Sequence, residues 1–154
     1  MLDGCDGVGK STLAEYIAHN NNADVLHMTA HSISTVESYK DRLNISIPII
    51  FDRCFLSEVV YSRIFNRPTE FDDDHTREIL SLAKEKGYKI VILDCSLDEI
   101  LRRVAIRNNE SEDLIRKFSE LKNKYLEVAK LFDIPVVSVD NKTTEEIANE
   151  IYNI

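Results

Sequence analysis

Short apolar runs rich in β-branched residues alternate along this chain with longer stretches of helical period. Val25 to Thr29, Ile47 to Asp52, Tyr88 to Asp94 and Pro135 to Val139 read as strands. Two of these are continuous apolar runs closed by an acid, the form of a strand buried on both faces. Between them the spacing predicts helices over Lys10 to Asn20, Ser32 to Leu43, Phe55 to Asn66, Asp73 to Lys86, Leu97 to Asn108, Ser111 to Phe132 and Thr143 to Tyr152. Thr143 followed three residues later by Glu146 is a capping box for the last of them. Gly87 after Lys86 marks a helix C-terminus. The acids of Asp72-Asp73-Asp74-His75 complement a helix dipole and do not read as a metal site.

Alternation of strand and helix implies a parallel sheet covered on both faces. With a first strand at Met1 to Asp3, the expected fold is a three-layer α/β/α sandwich with a five-stranded parallel sheet. Residues 1–154 read as a single domain, with no repeat, low-complexity tract or linker. Only three residues precede Gly4, so that strand is either very short or begins before the sequence does.

Composition narrows the partners. The 19 basic residues against 27 acidic ones give a formal net charge of −8, which works against a general nucleic-acid or membrane-surface binder. Cys5, Cys54 and Cys95 form no C-x-x-C pair, so reduced thiols in a cytoplasm are the simplest expectation. No apolar run approaches a membrane span, and no basic-then-apolar leader opens the chain.

Three of the four glycines lie in the first nine residues. They belong to Gly4-Cys5-Asp6-Gly7-Val8-Gly9-Lys10-Ser11, which meets the pattern G-x-x-x-x-G-K-[ST] and precedes an amphipathic helix. Glycine lets successive backbone N–H groups turn toward one phosphate. The helix that continues through Thr12 adds its positive end. Lys10 can then reach the β- and γ-phosphates of ATP, and the Ser11 hydroxyl can ligate Mg²⁺. By itself the loop leaves GTPase, ATPase and kinase open. No N-K-x-D segment is present, since Asn141-Lys142 is followed by Thr143-Thr144.

Two further segments carry candidate chemistry. Asp52-Arg53 closes a predicted central strand, where ligands of open α/β sheets bind. Such an acid can hold Mg²⁺ or orient a hydroxyl, and such an arginine can clamp phosphate oxygens. Arg103 and Arg107 are four residues apart and share a helix face. On pattern alone they read as a solvated stripe offset by Glu99 and Glu110. Among the aromatic residues, Tyr39, Phe55, Tyr61 and Phe65 at helical spacing read first as core, and Tyr61 and Phe65 share a face, so at least one should be buried.

At Asp52-Arg53 the chain resembles the thymidylate kinases and, more broadly, the P-loop nucleoside and nucleotide kinases. Asp52, Arg53, Ser57 and Tyr61 match that family's spacing, with Cys54 in place of its aromatic residue, and Asp6 stands where its loop often carries an acid. The resemblance implies Asp6 near a sugar hydroxyl, Arg53 on an acceptor phosphate, Ser57 and Tyr61 along the acceptor, and Asp52 at the metal. It also puts Arg103 and Arg107 on the transferring group, a short lid at 108–113, and the adenine at Asp140 to Thr143. The implied activity is ATP- and Mg²⁺-dependent phosphoryl transfer to a nucleotide-type acceptor, foremost a deoxynucleoside monophosphate. A hydroxyl of a nucleoside, or of a base or end in DNA, is the alternative acceptor, the net charge opposing DNA. An ATPase switch or a non-catalytic nucleotide-binding module is the other alternative, and a homodimer is left open. Three places depart from the family. His27-Met28-Thr29-Ala30-His31 replaces its Arg-Glu-Pro segment, Ser62 its base-reading glutamine, and Val8 an arginine found in some members. Acceptor contact is the functional reading for His27 and His31.

Overall fold

A computed structural model describes residues 1–29, 35–107 and 115–154, and at Arg107 the backbone alone. Five strands, β1 (Leu2–Gly4), β2 (Asp24–His27), β3 (Ile49–Asp52), β4 (Val91–Asp94) and β5 (Val136–Ser138), form one sheet in the order β2-β3-β1-β4-β5. Every pairing is parallel. The described helices are α1 (Lys10–Asn21), α2 (Val36–Leu43), α3 (Phe55–Phe65), α4 (Asp73–Glu85), α5 (Leu97–Arg107), α6 (Phe118–Phe132) and α7 (Thr144–Tyr152). The expected three layers and five parallel strands are therefore present.

Strand order and handedness together assign the helices to faces. Right-handed crossovers put α1, which connects β1 leftward to β2, on one face of the sheet. The later connections run rightward, so α2 through α6 cover the opposite face. Observed packing agrees: α1 packs on α7, whereas α4 packs on α2 and α3, and α6 on α3 and α5. The chain thus leaves β1 and β3 toward opposite faces, and the crevice between their carboxyl ends is the place for a ligand.

The first strand is three residues long yet central, hydrogen-bonded to β3 on one side and β4 on the other. Its ladder is extended by Arg53, whose amide donates to the Leu2 carbonyl at 3.0 Å, and by Val91, whose amide donates to the Met1 carbonyl at 3.0 Å. Helix boundaries follow the local chemistry. Thr143 and Glu146 form the expected reciprocal capping box. Asp72 caps α4 by accepting from the His75 amide at 2.8 Å. Tyr39, Phe51, Phe55 and Phe71 are buried and pack ring to ring, with Tyr39 edge-on to Phe55 at 5.2 Å. That cluster braces the N-terminal end of α3, and it settles Tyr39 and Phe55 as core. Tyr61 and Phe65 stack at 6.0 Å, but neither is fully buried: Tyr61 borders a cavity and Phe65 is exposed.

Candidate active site

The phosphate-binding loop hangs between β1 and α1 with little room behind it. Gly4, Gly7 and Gly9 all adopt positive φ, at 136°, 84° and 97°. A Cβ on Gly4 would lie 2.3 Å from the Leu93 carbonyl oxygen, and one on Gly7 would lie 3.2 Å from Val104 Cγ2. Both the conformation and the close packing of β4 and α5 therefore require glycine there. Lys10 is buried, and its ammonium donates to the carbonyls of Gly4 and Cys5 at 2.8 Å each. It is thereby drawn back over the loop and held ready for an incoming phosphate. Burial pushes the Cys5 thiol up to about 12, with Lys10 pulling it the other way, so Cys5 stays a neutral packing group.

Beside the loop, a recess of ≈ 80 Å³ is lined by Gly7, Gly9, Lys10, Ser11, Asp52 and Arg53 among others. The Ser11 hydroxyl and the Asp52 carboxylate share it, a pair of hard oxygen donors that fits Mg²⁺. Asp52 is buried, and His27 Nδ1 lies 2.8 Å from its Oδ2. The two residues are register partners at the ends of β2 and β3, which is what brings them together. His31, the second histidine of the sequence reading, and the 108–113 segment lie outside the described residues. Among the described residues no group of three or more His, Cys, Asp or Glu side chains forms a metal cluster.

Next to this recess opens a cavity of ≈ 300 Å³ along α3, sharing Asp6, Met28 and Arg53 with it and adding Ser57, Tyr61, Glu58, Arg67 and Thr29. Arg53 sits at the junction. Its φ of 71° is left-handed, a strained state for a non-glycine residue and one that clusters at functional sites. The guanidinium pairs with Asp6, reaches Ser57 Oγ at 3.4 Å, and lies 5.9 Å from the Tyr61 ring centroid. Burial works against its charge, and the Tyr125, Tyr61 and Asp3 oxygens more than offset this. Tyr61 donates its hydroxyl to the other Asp6 oxygen at 2.5 Å. Burial pushes the Tyr61 hydroxyl up to about 12, against the pull of Arg53. Asp6, Arg53, Ser57 and Tyr61, distant in sequence, thus converge on one cavity.

One residue central to this arrangement went unread in the sequence. Asp3 is fully buried in the middle of β1. One carboxylate oxygen accepts from the Gly4 amide at 2.8 Å, the Ser57 hydroxyl at 2.6 Å and the Tyr125 hydroxyl at 2.9 Å. The other accepts from the Cys54 and Ser57 amides at 3.0 and 2.8 Å and from Cys54 Sγ at 3.2 Å. Cys54, the N-cap of α3, makes no side-chain cap of its own. Asp3 caps that helix from a neighbouring strand and so ties the phosphate loop to the helix that walls the cavity. The signal was an acid inside a short strand that must be buried on both faces.

The donor side carries the remaining candidates. Arg103 pairs with Glu99 at 2.6 Å and donates to the Gly7 and Val8 carbonyls at 3.3 and 3.2 Å. Glu99 is held down to about 2 by its hydrogen bonds to Arg102 and Arg103. Arg103 also lines the hollow formed by Ser96, Val139 and the Asp140–Thr143 loop. Within that loop Asp140 accepts from the Ser96 amide at 2.8 Å. The Arg107 side chain lies outside the described residues. Val8 and Thr12 line a second hollow on the same side, with Gly9 and Lys142.

Comparison with known proteins places the fold and the family. The chain is similar over 99% of its length to the YorR protein of Bacillus subtilis, solved in complex with phosphorylated GDP, with a TM-score of 0.82, 22% identity and 92% of that chain covered. It is similar to the deoxyadenosine kinase of M. mycoides with a TM-score of 0.64 and 18% identity, covering 99% of this chain and 95% of that one. A shikimate kinase of Staphylococcus haemolyticus (strain JCSC1435) is 27% identical, across 99% of this chain and 91% of the relative. The thymidylate kinase family matches residues 19–151, a span that begins after the phosphate loop. A kinase of this kind works with ATP and Mg²⁺. By that match the chain belongs to the thymidylate kinase family and is a P-loop kinase of nucleotides or nucleosides.

Proposed function

We propose that the protein transfers the γ-phosphoryl group of ATP to a deoxynucleoside monophosphate seated along α3. The observation that carries this reading is the placement of Arg53, a cation on strained backbone that lines both the loop recess and the α3 cavity. A guanidinium there lies between the donor phosphates and an acceptor phosphate, and a fork of donors suits phosphate oxygens. Gly4 to Thr12 hold the ATP phosphates, with Lys10 neutralising their charge. Ser11 and Asp52 hold Mg²⁺, which when bound neutralises charge developing between the β- and γ-phosphates. Asp6 meets a sugar hydroxyl, and Ser57 and Tyr61 position the acceptor. Arg103 reaches the transferring group only by leaving the Gly7 and Val8 carbonyls, and Arg107 acts one helical turn further along. The adenine lies against Asp140 to Thr143. A phosphate acceptor is a nucleophile at neutral pH, so no strong base is required.

A second reading is favoured by the His27–Asp52 contact. A carboxylate paired with an imidazole suits proton removal from a hydroxyl, which a phosphate acceptor does not need. A nucleoside, or a hydroxyl carried by DNA, would then be the acceptor; for DNA the net charge of −8 is opposing. The test is a panel of deoxynucleosides, their monophosphates and DNA oligomers with labelled ATP and Mg²⁺. Labelled diphosphate made from a monophosphate supports the first reading, and labelled monophosphate made from a nucleoside, or a labelled oligomer, supports the second. Label appearing only as free phosphate would sink both and leave an ATPase.

A further inference from the structure

Two charged residues of the α3 cavity, Glu58 and Arg67, are left unused by the transfer chemistry. Glu58 stands three residues before Tyr61 and so shares its face of α3, with its side chain 14% exposed. Arg67 follows the helix end, where Asn66 turns left-handed at φ 50° and the Arg67 amide donates to the Ser62 carbonyl at 2.9 Å. That cap folds the Arg67 side chain back along α3, and its guanidinium reaches Glu58 at 3.1 Å. Ser62 itself is buried and donates to the Val59 carbonyl, so it reads nothing in the cavity.

We infer that Glu58 and Arg67 select the base of the acceptor and that the base they fit best is guanine, an inference resting on the nucleotide-acceptor reading above. Among the described residues of the cavity, Asp6, Arg53 and Ser57 serve its sugar and phosphate end. Met28 and the Tyr61 ring supply apolar wall. The strongest polar groups left to face a base are a carboxylate, which offers only acceptors, and a guanidinium, which offers only donors. Side by side they present acceptors next to donors. Guanine runs N2–H, N1–H, O6, N7 along one continuous border, two donors beside two acceptors, and each pair suits one of these side chains bidentately. Thymine offers a single N–H between two carbonyls. Cytosine and adenine each offer one amino group beside ring or carbonyl acceptors. Each of these leaves part of the Glu58–Arg67 pair unmatched, and a site built to hydrogen-bond a group discriminates against ligands that lack it.

The test is equilibrium binding, followed calorimetrically on the full chain, of the guanine, hypoxanthine, cytosine, adenine and thymine deoxynucleosides and their monophosphates. Labelled-ATP transfer is measured on the same panel. Guanine should bind tightest, by on the order of 10-fold or more over thymine. Hypoxanthine, which lacks the 2-amino group, should fall several-fold below guanine. Glu58→Gln and Arg67→Ala should each erase the guanine preference while leaving ATP affinity unchanged. Guanine binding no tighter than thymine would overturn the inference, as would either variant weakening every base by the same factor. Guanine-selective binding without labelled product would uphold the inference and sink the transfer reading. Transfer with no base preference would do the reverse.

Discussion

From Gly4 to Ser11 the donor half of the site is a run of consecutive residues whose backbone does the holding. The acceptor half instead gathers side chains from Asp6, Met28, Arg53 and Arg67, which only the fold brings together. The donor loop is shaped by what is missing, namely the Cβ atoms that would strike Leu93 and Val104. The acceptor cavity is shaped by paired charges, Arg53 with Asp6 and Arg67 with Glu58. Backbone N–H groups bind any triphosphate in one geometry, whereas paired side chains can be exchanged to suit a particular acceptor. Binding energy at the first half is general, and selectivity belongs to the second. Asp3 is hydrogen-bonded to both, through the Gly4 amide and through Ser57.

Changes on the donor side should abolish turnover whatever the acceptor. Lys10→Ala removes the buried ammonium poised over the loop, and we expect kcat to fall on the order of 10²–10³-fold or more with the fold intact by circular dichroism. Undiminished turnover would break the assignment of the loop as the donor site. At the joint between the halves the expected loss is of stability as well as rate. Asp3→Ala strips the acceptor from donors in β1, α3 and α6, leaving several of them buried and unpaired, and should cost about 3 kcal/mol or more in urea unfolding. A variant as stable as the parent would show that water replaces the carboxylate and that the halves are not coupled through it.

Acceptor-side changes should separate the two halves kinetically. Arg53→Ala is expected to lower kcat/KM for the acceptor about 100-fold while the Kd for ATP stays near its original value. An equal loss at both substrates would place Arg53 with the donor. Tyr61→Phe deletes one hydroxyl, the donor to Asp6, and should raise acceptor KM by roughly 10-fold or less, the scale of one charge-assisted hydrogen bond. Its ATP KM should not move.

The same contrast explains what was legible in the chain. Strand–helix alternation, the sheet and the loop were readable because each depends on contiguous residues and fixed periods. Asp52-Arg53 was readable because a strand end in a parallel sheet is a ligand position before any coordinates exist. Glu58 and Arg67 were not, since an acid and a base nine residues apart in and beyond a helix look like ordinary surface charge. Only the left-handed turn at Asn66 sends Arg67 back to the cavity. The pairing of His27 with Asp52 was hidden for another reason: it depends on strand register, and β2 and β3 are separated by a whole helix. The capping role of Asp3 was hidden likewise, because its partners lie about fifty and 120 residues downstream.

The smallest effect concerns the thiols, and it asks whether the donor loop is as closed as its packing implies. Cys5 lies in the loop, Cys54 immediately precedes α3 and Cys95 follows β4; all three are buried. Burial pushes Cys5 up to about 12 and Cys95 to about 11, and Cys54 well above its ordinary value. A thiol whose pKa is raised by folding favours the native state fully below its unfolded value, near 9. That contribution fades as pH rises from there through the folded values. Stability should therefore be insensitive to these groups at neutral pH and decline above about pH 9, with a Cys95→Ala variant losing less than its parent over the same interval. At pH 8 a thiol reagent should leave the native protein almost unmodified and react with three thiols once it is unfolded in urea. Fast reaction at Cys5 in the native state would mean that the loop opens on its own, and that rigidity of the donor half is conferred by ATP and not by Gly4, Gly7 and the carbonyls that hold Lys10.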